Sequence, residues 1–339
     1  MRAAFGLDTL QGWTMKYFDD LAVGSVTECG SFSFDREEIL DFARRYDPQP
    51  FHLGDEAAKH SVFGKLTASG LHSACTGRKL ALQSALKDTC FLGSPGATRM
   101  QMHKPVYPGT EVRVSHAIKS VRRLADWPGV ALVEGHTLGF AGDGELIMTV
   151  EDHSWIGSRA LSRDFDASLL VGSPSASAPF EIMHDRPDLA RLSQASTHDG
   201  RIYWEDCPLG KTFYSDEFAV TAAEIEAFHA QFDPAAAQSG ARAQPNEWHA
   251  ICLGMRVLWD VFWCRFENVG GTGLNLVRWP RALKPGDRLR GEARIVHARP
   301  LRTRPGLGLA QIRCVFANQF GQVVSSYVSS TFARMRAGR

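Results

Sequence analysis

Apolar positions along the chain fall into two passages of the same order, each a short helical pattern, then a longer one, then alternating strands. Residues 35–46 carry Ile39, Phe42 and Ala43 at helical spacing, with Asp35 placed to cap the first turn. Pro48 ends that helix, because the residue before a proline is pushed out of the helical region. A longer helix is predicted from about Gly70 to Leu86. Its later counterpart is plainer, since Trp248, Ile251, Cys252, Met255, Trp259, Phe262 and Trp263 follow the i, i+3, i+4, i+7 rule. Strands are predicted near 97–106, 111–123, 129–140 and 145–156, with turn signals at Pro108-Gly109 and Asp143-Gly144. One long helix followed by a run of antiparallel strands argues an α+β unit whose sheet wraps the helix.

The two passages are copies. Tyr17-Phe18-Asp19-Asp20 recurs as Tyr203-Trp204-Glu205-Asp206, and at that offset Tyr17, Asp20, Gly24, Phe32, Glu38, Ile39, Phe42, Asp47 and Pro48 all recur identically. Farther on the match resumes with His72 and His249, Cys75 and Cys252, Gly77 and Gly254, Pro108-Gly109 and Pro285-Gly286, and Ile118 and Ile295. The second copy is nine residues shorter between its Asp-Pro and its His. Residues 158–200 between the copies, with Ser173-Pro174-Ser175-Ala176 at their centre, have linker composition. The expected organisation is a first domain over 1–157 and a second over 201–339. Two such halves can join their sheets edge to edge as a pseudo-dimer within one chain, which shields two edge strands; a homodimer of the chain is a further expected assembly.

Composition narrows the partners. Among 339 residues, 38 Lys+Arg against 37 Asp+Glu leave a net charge of +1, which gives no electrostatic case for nucleic acid or a membrane surface. The seven cysteines never occur as Cys-x-x-Cys, so neither a disulfide framework nor a zinc ribbon fits, and a reducing cytoplasm is the expected compartment. No stretch reads as a signal peptide or membrane span.

Candidate chemistry centres on Tyr46-Asp47-Pro48-Gln49-Pro50-Phe51-His52. Asp47 and His52 would share no face of a regular helix or strand. The two prolines forbid helix and hold Asp47 and Gln49 extended or in a turn, so a tight loop can bring carboxylate and imidazole to one point. The alternative is that Asp47 caps a turn and His52 is an incidental loop residue. Gly70, in Thr67-Ala68-Ser69-Gly70-Leu71-His72, opens the long helix, where unsatisfied N–H groups and the helix dipole favour negative charge. Its alternative is a glycine placed for close helix-to-sheet packing.

Asp47-Pro-Gln-Pro-Phe-His52, with Gly54-Asp55-Glu56-Ala57-Ala58-Lys59, Phe63-Gly64 and Ala68-Ser69-Gly70-Leu71-His72 behind it, resembles the MaoC-like dehydratases. That hot-dog family includes the R-specific enoyl-CoA hydratases, and its pattern is Asp-x-Asn-Pro-x-His at the same distance from an oxyanion glycine. The usual Asn is Gln49 here, a longer amide. The resemblance covers most of the first copy and, through the repeat, the second more weakly. It implies a double hot-dog fold and an acyl-CoA hydratase/dehydratase that uses no metal or redox cofactor. Asp47 and His52 would activate water, the Gly70 N–H would donate to the thioester carbonyl, and Gln49, Phe51, Ser69 and Trp248 would line the substrate. One member of the pair would take a proton from water attacking C3 while the other delivers one to C2. A hot-dog thioesterase and a non-catalytic acyl-CoA or acyl-carrier binder are the rivals.

In the second copy, Asp233-Pro234 runs on into Ala235-Ala236-Ala237-Gln238, and Glu247 stands at the position of Gly70, so one active site per chain is expected. The shortened stretch from Gln238 to Glu247 suggests an opened pocket wall lined by Trp248 and Ile251, favouring medium-length or bulky enoyl groups. Gly270-Gly271-Thr272-Gly273 reads as a loop. Arg78, Lys79, Lys104, Arg122 and Arg123 are solvated charges or coenzyme A phosphate contacts. His52, His60 and His72 have no metal-ligand spacing with a third donor.

Overall fold

The computed structural model describes residues 15–142, 144–162, 165–171, 173, 176, 200–233 and 247–336. Helix α1 (Arg36–Tyr46) forms where the apolar spacing put it. Asp35 accepts the Glu38 N–H and Glu38 accepts the Asp35 N–H, a reciprocal cap on donors that a helix start leaves open. Two short helices follow, α2 (Pro50–Leu53) and α3 (Asp55–Lys59), then the long α4 (Gly70–Gln83). In the second half α5 (Ala222–Phe232) repeats α1, and α6 (Glu247–Val257) repeats α4 before widening into a π-helical turn at Trp259–Trp263.

The first half contributes strands β1 (Val26–Phe32), β2 (Phe91–Met102), β3 (Val112–Arg123), β4 (Val130–Ala141) and β5 (Glu145–Gly157). The second contributes β6 (Thr212–Tyr214), β7 (Phe218–Ala219), β8 (Asn268–Arg278), β9 (Arg288–Pro300), β10 (Leu307–Ala317) and β11 (Val323–Arg334). They form one antiparallel sheet in the order β1-β3-β4-β5-β2-β8-β11-β10-β9-β6, with β7 beside β9. The halves meet where β2 pairs with β8, through Gly96 opposite Arg278, Met100 opposite Leu274 and Gln101 opposite Gly273. Each half wraps its sheet around one long helix, which is the α+β double hot-dog architecture.

An internal two-fold relates the halves. The Cys75 and Cys252 sulfurs, repeat-related residues of α4 and α6, lie 3.8 Å apart, as residues on such an axis must. Gly77 and Gly254 recur because each helix crosses its sheet closely. A Cβ on Gly77 would lie 2.5 Å from Met148 Cε, and one on Gly254 would lie 2.7 Å from the Phe316 ring. His72 and His249 recur as core rings, His72 stacked on Phe34 and Phe42 at 3.7 and 4.4 Å and His249 on Phe228 at 4.4 Å. Burial pushes both imidazoles down to about 3, so they stay uncharged.

The chain departs from the pattern-based reading in several places. Pro50 does not forbid helix: it is the first residue of α2, where a missing N–H costs nothing. Strand β2 begins at Phe91 rather than near 97 and runs through Gly93 and Gly96, bulge residues with φ of 128° and 154°. The stretch after β5 is not a bare tether where it is described: Leu170 and Ala176 are fully buried, and the Trp155 indole N–H donates to the Ala176 carbonyl at 2.8 Å. Most of the expected linker lies outside the described residues, as does Asp143 of the Asp-Gly turn. No helix among the described residues is long and apolar enough to cross a membrane.

Candidate active site

Helix α1 ends at Tyr46, so Asp47 is its C-terminal cap, in non-helical conformation with its N–H on the Ala43 carbonyl at 3.0 Å. From there the chain turns tightly. The Gln49 N–H donates to the Asp47 carbonyl and the His52 N–H to the Gln49 carbonyl, both at 2.8 Å. That turn, with Pro50 opening α2, brings the two side chains together: His52 Nε2 lies 3.6 Å from Asp47 Oδ2, with both groups buried. The other ring nitrogen fixes the tautomer. His52 Nδ1 lies 2.7 Å from the Thr67 carbonyl, which can only accept, so Nδ1 carries the proton and a neutral Nε2 presents its lone pair to Asp47.

Ser69 links this loop to α4. Its hydroxyl donates to Asp47 Oδ2 at 2.6 Å and accepts the Leu71 N–H at 3.1 Å, so one side chain caps the helix and holds the carboxylate. Ser69, expected to line the substrate, is part of the cavity lining, and its hydroxyl is also engaged by Asp47 and the helix cap. Burial raises the Asp47 carboxyl above its ordinary range, opposed by the nearby His52 and the Ser69 hydrogen bond. Burial likewise lowers His52, opposed by Asp47 and the bond to Thr67. Two polar atoms of the cluster, Asp47 Oδ1 and Gln49 Nε2, are buried without a hydrogen-bond partner among the described residues. Orphan atoms of this kind are costly unless a ligand or solvent molecule completes them.

These groups line a cavity of about 540 Å³. Gly70 lines it as the first residue of α4, and Phe51 closes one side, its ring 5.2 Å from Phe63. The chain after α3 folds over as a flap, its Val62 N–H donating to the Val269 carbonyl at 2.9 Å. The opposite wall comes from the second half, from Asn268, Gly271, Thr272 and Gly273 of β8 and Ser329, Ser330 and Thr331 of β11. Sequence reading missed this wall. Gly270-Gly271-Thr272-Gly273 is not a loop but a bulged part of β8, with φ of 146° and 138° at Gly270 and Gly273. The available signal was the repeat itself, since Gly93 and Gly96 recur as Gly270 and Gly273 at the offset of the paired histidines.

Other expectations are corrected. Trp248 lies outside the cavity lining; it is 1% exposed and packs on Trp279 at 5.4 Å, and Ile251 is fully buried in the same core. A helix face toward the seam and one toward the core are equally apolar, so the pattern alone did not separate them. Apart from Glu247, the shortened stretch before Trp248 lies outside the described residues. Arg78 is neither solvated nor free for phosphates: it is buried 3.4 Å from Asp152, with the Ser154 hydroxyl also at 3.4 Å. Arg123 pairs with Asp19 at 2.5 Å and Lys104 with Glu145 at 2.8 Å.

A test of the Ser69 contact follows from its sign. Asp47 is raised by burial and held down in part by Ser69, so Ser69→Ala lifts its pKa further. If the carboxylate is the working form, activity is lost as pH falls through that pKa, and the acid limb of the rate profile in Ser69→Ala moves to higher pH. Profiles of kcat/KM for the two proteins check this, and superimposable acid limbs would disconnect Ser69 from Asp47. The lost cap also costs about 1 kcal/mol of stability, readable by denaturant unfolding.

Comparison with known proteins bears on the family and the fold. Residues 23–137 match the family model described as MaoC like domain. A MaoC domain protein of Chloroflexus aurantiacus J-10-fl is similar over 97% of this chain and 100% of its own, at 14% identity and a TM-score of 0.72. A Mycobacterium tuberculosis protein with a double hotdog fold is similar over 94% of this chain and 98% of its own, at 14% identity and a TM-score of 0.66. A MaoC-like dehydratase from Rhodospirillum rubrum is 30% identical, over 43% of this chain and 99% of its own, with a TM-score of 0.39. The match to the domain model falls on the half that carries Asp47, His52 and Gly70, and the chain belongs to the MaoC-like dehydratase family, in double hot-dog form.

Proposed function

We propose that the chain is a hydro-lyase that adds water reversibly across the C2=C3 bond of a 2-enoyl-CoA thioester, giving a 3-hydroxyacyl-CoA. The observation that carries this reading is the Asp47/His52 pair. Two buried acceptors, a carboxylate oxygen and a bare imidazole nitrogen, face each other at 3.6 Å. That is too long for a hydrogen bond between them, and two acceptors have none to make. A water donating one proton to each satisfies both and points its own lone pair outward.

Such a water, held against C3 of the enoyl group, is ready to attack. As the C3–O bond forms, one member of the pair takes a proton and the C2=C3 electrons shift toward the thioester oxygen. The Gly70 N–H at the start of α4 stabilises the enolate charge there. Proton delivery from the pair to C2 completes the addition and returns the pair to its starting state. Ser69 holds Asp47, and Thr67 holds His52, in the orientation this needs.

The test is a panel of 2-enoyl-CoA thioesters, following loss of the conjugated enoyl absorbance and release of free thiol separately. Hydration removes the absorbance without releasing thiol. Thiol release without prior loss of absorbance would make the chain a thioesterase, and binding with neither change would make it a carrier.

A further inference from the structure

The seam between the halves is built twice, and its two copies are in different states. At the first, α4 begins with Gly70 and faces the bulge of β8. At the second, α6 begins with Glu247 and faces the bulge of β2. The offset that pairs His72 with His249 also pairs Gly70 with Glu247, Gly93 with Gly270, Ser94 with Gly271, and Trp155 with Phe332. Strand registers agree with that pairing at the flanking glycines: Gly93 lies opposite Trp155 and Gly96 opposite His153, while Gly270 lies opposite Phe332 and Gly273 opposite Ser330; between them Gly271 lies opposite Thr331, whereas Ser94 has no register partner in β5. Ser94 and Gly271 lie just past the two ends of the β2–β8 ladder, which closes with Gly96 opposite Arg278 and Gly273 opposite Gln101.

At the second seam an oxygen fills the space between helix and bulge. The Ser94 N–H donates to Glu247 Oε1 at 3.2 Å, so the side chain that opens α6 ends on a strand amide supplied by the other half. At the first seam the helix opens with a residue that has no side chain, and the equivalent space belongs to the cavity that Gly70 and Gly271 both line. At the second seam Glu247 Oε1 thus occupies the place that at the first seam belongs to the cavity.

We propose that the backbone N–H of Gly271 is a second donor to the thioester carbonyl, completing with Gly70 an oxyanion hole shared between the two halves. The inference rests on the hydratase reading for the identity of that oxygen. Two donors from opposite walls fix the direction of the carbonyl as well as its charge. Gly271 needs no left-handed conformation, unlike Gly270 and Gly273, and a Cβ on it would meet only the Ser330 carbonyl at 3.2 Å. The first half carries a serine, Ser94, at the same place. Glycine at 271 is therefore not demanded by backbone conformation, and the Ser330 carbonyl is the one contact that an added Cβ would have to relieve.

The test reads the carbonyl directly. Bound to the full chain, [1-13C]butyryl-CoA, which has no double bond to hydrate, is expected to show a carbonyl stretch shifted to lower frequency. Gly271→Ala keeps the N–H and most of the shift. Gly271→Pro, or a backbone ester at 271 should the proline chain fail to fold, loses part of it, and kcat on an enoyl-CoA falls about a hundredfold. An unchanged stretch in the chain lacking that N–H overturns the proposal and leaves the hydratase reading standing. Failure to hydrate any enoyl-CoA removes the hydratase reading and leaves the stretch experiment intact. The position is also testable without a thioester. Glu247→Gly vacates it at the second seam, so acetate is expected to raise the Tm of that variant more than that of the parent chain, and an equal response in both counts against an oxygen site there.

Discussion

Asp47→Asn and His52→Ala are each expected to lower kcat for enoyl-CoA hydration by about a hundredfold to ten-thousandfold while leaving the fold in place. Asn keeps the size of Asp47 and can still accept from Ser69, but it cannot take a proton. Ala at 52 removes the lone pair that faces Asp47 at 3.6 Å and frees the Thr67 carbonyl. Because both groups act on one water, the double variant is expected to be little slower than the worse single one. Single-turnover kinetics with circular dichroism on the same samples decides the matter. Full turnover in either folded variant would remove the pair from the mechanism, and strictly multiplicative losses would mean the two groups do not share a water. Asp233, the counterpart of Asp47, serves as the internal control, and Asp233→Asn is expected to leave turnover nearly unchanged.

Gly70→Val is expected to cost about a hundredfold or more in kcat with little change in KM, since the interaction it disturbs strengthens as charge develops on the carbonyl. The structure adds a competing cause that must be separated. A Cβ at position 70 would lie 2.9 Å from Met102 Cγ and 3.4 Å from Met100 Cε, so any side chain there also presses on the sheet. Both neighbours are flexible, and their yielding is a packing effect. Gly70→Ala combined with Met102→Ala separates the two, because it relieves the contact and leaves the crowding of the carbonyl. A double variant as slow as Gly70→Ala supports the oxyanion role; recovery of full rate would make Gly70 a packing glycine only.

The sequence made the helices and the duplication legible because both rest on spacing. The Ile39/Phe42/Ala43 set buries one face of α1, and His72, Cys75 and Gly77 recur because an internal two-fold gives each repeat the same neighbours. Asp47, His52 and Gly70 were legible through the family pattern, and the structure explains their convergence by a turn that local sequence alone left open. Strand β1 was invisible for a physical reason: of Val26–Phe32 only Cys29 is buried, so no alternation marks it. The wall formed by Ser329, Ser330 and Thr331 was equally hidden, since those residues come to the cavity that Asp47 lines only through the pairing of β2 with β8 and β8 with β11. Trp248 was misplaced because an apolar face does not say which neighbour it meets.

The Glu247 carboxylate on the Ser94 amide has a consequence for which substitutions this chain can absorb. In a homodimer of identical hot-dog subunits, every change falls on both sites at once, as motif in one and as wall in the other. Fusion separates those duties. Here the second repeat must still supply the β8 and β11 wall at the first site, while the start of α6 is free to close its own seam with an internal carboxylate that burial pushes up to about 7 against the pull of Arg78. Tolerance to mutation should therefore divide within each repeat rather than between repeats. In a saturation-mutagenesis scan read by activity, the second half is expected to be intolerant along 268–274 and 329–332, and permissive at Asp233.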